Sequence, residues 1–307
     1  MVSPPPPARP LRLLCLHGYR QSASVFHART GALRKALGRA LPAAEGRPSG
    51  GALAELIYLD APFVVVPSEG PPPPPPSPPS PPFGTGGGNP AGSSSAVAVS
   101  ARAASTPISA ARRTQQRTWG LPNPDETTGW PAARRYLVAA LIEHAPIDGL
   151  LGFSQGATVA AVLAAATAAS PPPATLSPPG QATASSAAPQ TPARPEAAAA
   201  ETAALTRLRF VILVSGFPPQ RPHLAGLLSP CHPLCIPSLH IMGEADAQVP
   251  VAASRALAEC FAPAEREVYV HGGGHLVPSG ADARARVASF LARFVTAEGV
   301  TPCNAHL

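Results

Sequence analysis

The stretch that most constrains this chain is Gly149-Leu-Leu-Gly-Phe-Ser154-Gln-Gly-Ala157. An apolar run, Ile147 to Leu151, reads as a short buried strand. It enters Gly152-Phe153-Ser154-Gln155-Gly156, which fits G-x-S-x-G, and a long Ala/Val/Leu helix starts at once. Strand, sharp turn and helix form the context in which this pattern carries a nucleophile. The glycines have a steric reason. A residue on so tight an elbow takes strained backbone angles, and side chains at Gly152 and Gly156 would hold strand and helix apart. The elbow lifts the Ser154 hydroxyl clear of the sheet. It also turns the first amides of the helix toward the site, where the positive end of the helix dipole favours negative charge. The plainer alternative is a Ser N-cap after a glycine turn.

The rest of the chain alternates in the same manner. Apolar runs at Leu11–His17, Glu55–Leu59, Phe210–Val214, Ser238–Met242 and Val268–Val270 read as strands. Between them come helical patterns: Phe26, Leu33 and Leu37 a face apart, then Pro131–His144 with proline in its first turn. Gln155–Ala169, Val251–Phe261 and the amphipathic Ala281–Val295 follow. This alternation predicts an α/β chain with a mainly parallel, doubly wound sheet flanked by helices. In such sheets the chemistry lies beyond the carboxyl ends of the strands.

Ser154, Asp246 and His275 all fall there, each shortly after a different strand. Ser, then Asp, then His is the chain order of the α/β-hydrolases. A serine hydroxyl is a poor nucleophile until a base takes its proton, and an imidazole is such a base near neutral pH. A carboxylate behind the imidazole orients it and stabilises the imidazolium. Glu244 rivals Asp246 but lies nearer the strand end. His271 rivals His275 but precedes the Gly272–Gly274 run that would carry a loop over the elbow. Leu16-His17-Gly18-Tyr19-Arg20-Gln21-Ser22 closes the first strand. The backbone amides of Tyr19 (with Arg20 as the alternative) and Gln155 are the expected oxyanion donors. His17 reads as a structural histidine, Asp60 as a turn or capping residue with a place lining the cleft as the alternative, Asp148 as remote from Ser154, and Asp282 as a helix cap. Ser215 and Phe217 are placed to line the cleft. Trp119 and Trp130 belong either to a lid or acyl pocket or to plain packing.

Composition sets the boundaries. Of 307 residues 43 are proline, many of them in two tracts. Residues 67–117 hold the run Pro71–Pro76 and then Ser/Pro and Gly/Ser/Ala sequence; residues 168–206 hold Pro, Ala, Ser and Thr. Neither tract buries enough apolar surface to offset its ordering entropy, so both read as disordered insertions in surface loops. Without them roughly 220 residues remain, enough for a single domain over residues 8–300. Pro71–Pro82 suits weak contacts with SH3- or WW-type grooves, the ordinary alternative being a passive linker. The net charge of +6 is mostly arginine, including Arg102, Arg112, Arg113 and Arg117, but no aromatic interleaving or nucleic-acid motif accompanies it. Five cysteines, an odd number with Cys15 inside a strand, fit a reducing compartment. Cys231-His232-x-x-Cys235 has no second half to complete a metal site. No run is apolar and long enough to span a membrane. The expected location is the cytoplasm, with the nucleus as the alternative.

Taken together, several motifs carry a family resemblance. They are Leu14-Cys-Leu-His17-Gly-Tyr-Arg-Gln21-Ser, Thr30-Gly-Ala-Leu-Arg-Lys-Ala-Leu37, Asp148-Gly-Leu-Leu-Gly-Phe-Ser154-Gln-Gly-Ala157 and Val214-Ser-Gly-Phe217. Gly243-x-x-Asp246-x-x-Val-Pro250 and Gly273-Gly-His275-x-Val-Pro278 complete the series. In this order the chain resembles the serine hydrolase family shared by the fungal family-of-serine-hydrolases proteins and the animal ovarian-cancer-associated protein 2 esterases. The resemblance implies an α/β-hydrolase fold with Ser154, Asp246 and His275 as the triad. It further implies hydrolysis of small-molecule carboxylic esters, including long-chain alkyl esters, with no metal or organic cofactor. The two insertions depart from the family pattern. A thioesterase or lysophospholipase on the same scaffold is the nearest alternative; a weakly active binding protein of the same fold is another.

Overall fold

A computed structural model describes residues 9–38, 53–65, 115–120, 129–168 and 195–295. The chain divides into two units, residues 1–65 with 114–307 and residues 66–113; every element below belongs to the first. The central sheet holds β1 (Leu11–Leu16), β2 (Ala54–Leu59), β5 (Gly149–Phe153), β6 (Phe210–Val214), β7 (Ser238–Gly243) and β8 (Arg266–His271). Their order is β2-β1-β5-β6-β7-β8, and all neighbours run parallel. A second, two-residue pairing joins β3 (Phe63–Val64) antiparallel to β4 (Arg117–Thr118).

Side chains alternate across the strands, so each strand feeds two cores. Leu14, Leu16, Leu150, Val211 and Leu213 face one layer. That layer is built by α3 (Gly129–Glu143), α4 (Gln155–Ala168), α5 (Pro195–Thr206) and α7 (Val251–Glu259), through Leu137, Leu141, Leu205 and Leu257 among others. Leu13, Cys15, Leu151, Phe153, Phe210 and Ile212 face the other. There α1 (Ala23–Arg29), α2 (Gly31–Leu37) and α8 (Ala281–Val295) supply Phe26, Leu33, Leu37, Phe290 and Leu291. Each fully buried side chain of this size contributes about 1.5–3 kcal/mol. A short helix, α6 (Pro222–Ala225), follows β6. The doubly wound α/β sheet is therefore as the alternation predicts.

Two expectations change at their edges. Residues 168–206 were expected to be one disordered insertion, yet its last third is α5. Leu205 is buried there, and Glu201 pairs with Arg134 of α3 at 2.5 Å. The physical reason is alanine, which reads as low complexity but is the best helix former. The range 67–117 likewise ends too late, since Arg117 is in β4. Residues 67–114 and 169–194, including Pro71–Pro82, lie outside the described residues.

Strand order reverses between β1 and β5, the point where open α/β sheets place their ligands. Leu16 pairs with Gly152 there, so the loop after β1 and the elbow after β5 emerge side by side.

Candidate active site

At the elbow Ser154 has φ 54°, in the left-handed region. Such a conformation costs a non-glycine residue about 1–3 kcal/mol and persists only where its surroundings enforce it. The enforcement is visible. The Ser154 amide donates to Val214 O at 2.8 Å, and its carbonyl accepts from Ala157 N at 2.9 Å as α4 opens. A Cβ on Gly152 would lie 2.5 Å from Ala157 Cα. One on Gly156 would strike the carbonyl of Leu16 and lie 2.6 Å from that of His17. Both glycines are thus demanded by the approach of α4 to β1 and β5.

Asp246 and His275 come from the ends of β7 and β8. The ladder between these strands continues to Gly243 opposite His271. Beyond it, Glu244 N donates to His271 O at 2.8 Å and Ala245 N to Gly273 O at 3.2 Å. A Cβ on Gly243 would strike Gly273 O and lie 2.6 Å from Gly274 O. This close approach brings His275 Nδ1 to 2.8 Å from Asp246 Oδ2. The other carboxylate oxygen accepts from Gln248 N at 2.9 Å and Val249 N at 2.8 Å. Burial alone would push the Asp246 carboxyl up; the Val249 amide, the His275 ring and the Gln248 amide outweigh it and hold the carboxyl below its ordinary value. With Nδ1–H given to Asp246, His275 Nε2 keeps its lone pair. The His275 ring lies 4.8 Å from that of Phe153, the residue preceding Ser154. The Ser154 hydroxyl makes no hydrogen bond among the described residues.

The rivals are placed elsewhere. Glu244 is exposed. His271 Nδ1 accepts from Gly273 N at 3.1 Å, and its Nε2 is buried without a partner among the described residues. Burial depresses the His271 pKa, against the pull of the Asp246 charge.

On the other side of Ser154 lies the loop after β1. A Cβ on Gly18 would sit 3.3 Å from Ser154 Cβ, so this loop touches the elbow directly. Arg20 takes φ 58° and donates its amide to Arg117 O at 2.9 Å, which commits that amide. The amides of Tyr19 and Gln155 donate to no group among the described residues. His17 is fully buried. Its Nε2 accepts from Ala61 N at 3.0 Å, leaving Nδ1–H to donate to Gly18 O at 2.8 Å. Burial lowers its pKa, so the ring is a neutral tie between β1 and the end of β2. Asp60 Oδ1 accepts from Ala23 N at 2.8 Å at the start of α1. Asp148 is buried at the opposite end of the sheet in a bidentate pair with Arg9.

Ser215 departs from expectation. It is fully buried, with φ 48° and a hydroxyl that has no partner among the described residues, so it does not line a cleft. The turn out of β6 closes over it, with Ser254 Oγ donating to Gly216 O at 2.8 Å. Phe217 is half-buried, its backbone held by Thr158 Oγ1. Trp130 packs against the core. Trp119 is fully buried under His17, with ring centroids 5.3 Å apart. Sequence reasoning missed the β3–β4 pairing beside the elbow; just beyond it, Gly120 takes φ 81°.

Among the described residues no group of three or more His, Cys, Asp or Glu side chains is placed to hold a metal ion. No described helix is long and apolar enough to cross a membrane.

Comparison with known proteins adds to this geometry. The model of the serine hydrolase (FSH1) family matches residues 7–287. The chain is 33% identical over 296 residues to the esterase OVCA2 of Bos taurus, covering 92% of this chain and 96% of that protein. It is 32% identical over 297 residues to the esterase OVCA2 of Homo sapiens, covering 93% and 97%. Among solved structures it is similar to Zea mays acyl-protein thioesterase 2, at 15% identity, 95% and 96% coverage and a TM-score of 0.44.

Proposed function

The chain belongs to the serine hydrolase (FSH1) family, and from that membership we propose that it hydrolyses carboxylic esters through an acyl-enzyme on Ser154. His275 is the general base and Asp246 holds its imidazole. The observation that supports this reading is the 2.8 Å pair between His275 Nδ1 and Asp246 Oδ2, with the His275 ring 4.8 Å from that of Phe153, the residue before a serine held at φ 54°.

The cycle follows from these groups. As Ser154 Oγ bonds to the ester carbon, its proton passes to His275 Nε2 and the carbonyl oxygen takes up negative charge. The amides of Tyr19 and Gln155, without partners among the described residues, are the donors for that oxyanion, at the positive end of α4. The intermediate collapses, the alcohol leaves with the proton from His275, and the acyl group stays on Ser154. A water then repeats the sequence, giving up its proton to His275 and releasing the acid. Asp246 stays ionised throughout, held so by two backbone amides and the imidazole. The hydrogen bond from Ser154 Oγ to His275 forms with substrate in place, as such contacts commonly tighten in the Michaelis complex.

The test is hydrolysis of p-nitrophenyl esters of graded acyl length, with a thioester panel beside it, by wild type and Ser154→Ala. The expected result is ester turnover by the wild type and its loss in a Ser154→Ala protein of unchanged circular dichroism. Equal turnover by both proteins would remove Ser154 from the mechanism.

A further inference from the structure

We propose that Arg117-Thr118-Trp119 is a strap that positions the two oxyanion donors, acting through the Gln155 side chain on one side and the Gly18–Gln21 turn on the other. The inference rests on the reading of Tyr19 and Gln155 as donors and adds a positioning role for residues outside the triad.

The strap touches both donors' supports. On the α4 side, Gln155 Oε1 accepts from Trp119 N and from Thr118 Oγ1, each at 3.1 Å. Gln155 is buried, and among the described residues its side-chain oxygen is held by the strap alone. On the β1 side, Arg117 O accepts from Arg20 N at 2.9 Å, and Arg117 N donates to Gln21 O at 3.0 Å. A third tie runs from Trp119 Nε1 to His17 O at 2.8 Å. The strap is itself secured to the end of β2, where Arg117 Nη1 donates to Ala61 O at 2.9 Å.

The consequence lies in the spacing of the amides. Tyr19 and Gln155 belong to separate elements, and an oxyanion needs both at hydrogen-bond distance at once. Arg20 holds φ 58°, a conformation that a non-glycine residue keeps only under outside constraint. The bonds to Arg117 add that constraint to the turn's own closure, in which Gln21 N donates to Gly18 O at 3.2 Å. They also occupy the Arg20 amide and leave the Tyr19 amide as the donor of the turn that has no partner among the described residues. Loosening the strap lets the turn relax and moves one donor relative to the other. Binding of the neutral ester in its ground state is little affected, while the charged transition state loses a contact.

Gln155→Met keeps the backbone donor and the bulk but removes the acceptor. Trp119→Phe keeps the buried ring and removes its N–H. Each is expected to lower kcat on p-nitrophenyl butyrate about ten- to a hundredfold, with KM within about threefold of wild type. Affinity for butyl boronic acid, whose tetrahedral adduct places an oxygen where the oxyanion forms, should fall in step with kcat. The pH profile should keep its shape, because the base is untouched. If Gln155→Met does not fold, Trp119→Phe and the milder Thr118→Val are decided on the same readout. Wild-type kcat and boronate affinity in the folded variants would overturn the proposal, as would lower thermal stability with unchanged kcat per folded molecule. Ser154→Ala runs alongside: full activity there defeats the triad reading, whereas an inert Ser154→Ala beside a fully active Gln155→Met defeats the strap alone.

Discussion

Replacing Asp246 by asparagine changes one atom, and the structure fixes which way the new amide turns. Asp246 Oδ1 accepts from the backbone amides of Gln248 and Val249, at 2.9 and 2.8 Å. Those amides only donate, so the oxygen of the introduced side chain must take this place and its NH2 must face His275 Nδ1, which stands 2.8 Å from the present Oδ2. Two N–H groups cannot point at each other. The imidazole therefore moves its proton to Nε2, the atom that receives the Ser154 proton in the proposed mechanism, and on that mechanism the base is lost through its tautomer rather than its position. In the Ser-His-Asp template this costs about 10⁴ in kcat, close to 5 kcal/mol of transition-state stabilisation. The backbone bonds to the side-chain oxygen survive, so the fold should too. The assay is steady-state hydrolysis of p-nitrophenyl butyrate, with thermal unfolding as the control. A folded Asp246→Asn enzyme within about tenfold of wild type would refute the reasoning.

Other outcomes follow from single contacts. His240 is buried against Phe261, and burial, aided by the charge of Arg266, depresses its pKa from 6.5 to about 3. Above the unfolded value both states are neutral and the group contributes no pH dependence. As pH falls below it only the unfolded chain takes the proton, so stability is lost down to the folded value. Between pH 7 and pH 5 this amounts to about 2 kcal/mol. Urea unfolding at the two pH values should show a loss smaller by that amount in His240→Gln; equal losses in both proteins would contradict it. Gly243→Ala should destabilise by about 1–3 kcal/mol and lower kcat more than about tenfold, because its methyl group meets the Gly273 and Gly274 carbonyls that carry His275 toward Asp246. Denaturation midpoints and kcat check this together, and an unaltered kcat would mean that the loop gives way without moving His275.

Elements with strong periodicity were legible before the structure. Phe210–Val214 and Ala281–Val295 have the bounds their apolar patterns predict. The nucleophile strand runs on to Phe153, beyond its expected end, because Phe153 still pairs with Val214 at the very lip of the elbow. β8 begins at Arg266, two residues early by pattern, since an edge strand tolerates Arg266 and Glu267. The single helical pattern before residue 38 is two helices, divided at Thr30, whose hydroxyl turns back to Phe26 O. Paired strands of two residues have no period to read, and β3 and β4 lie too far apart in sequence for a turn signal to join them. For the same reason Ser154, Asp246 and His275 stand out, each following its own strand, while the support of Gln155 by Trp119 does not. That contact links residues 36 positions apart through a backbone amide, and backbone amides leave no mark on a sequence.

The central claim is a covalent acyl group on Ser154. Acid quench of the enzyme during turnover of p-nitrophenyl butyrate, followed by intact mass and peptide mapping, tests it most directly. The account predicts a butyryl adduct on the peptide carrying Ser154, absent from Ser154→Ala. A butyryl group on a different residue, or steady turnover by Ser154→Ala, would contradict it.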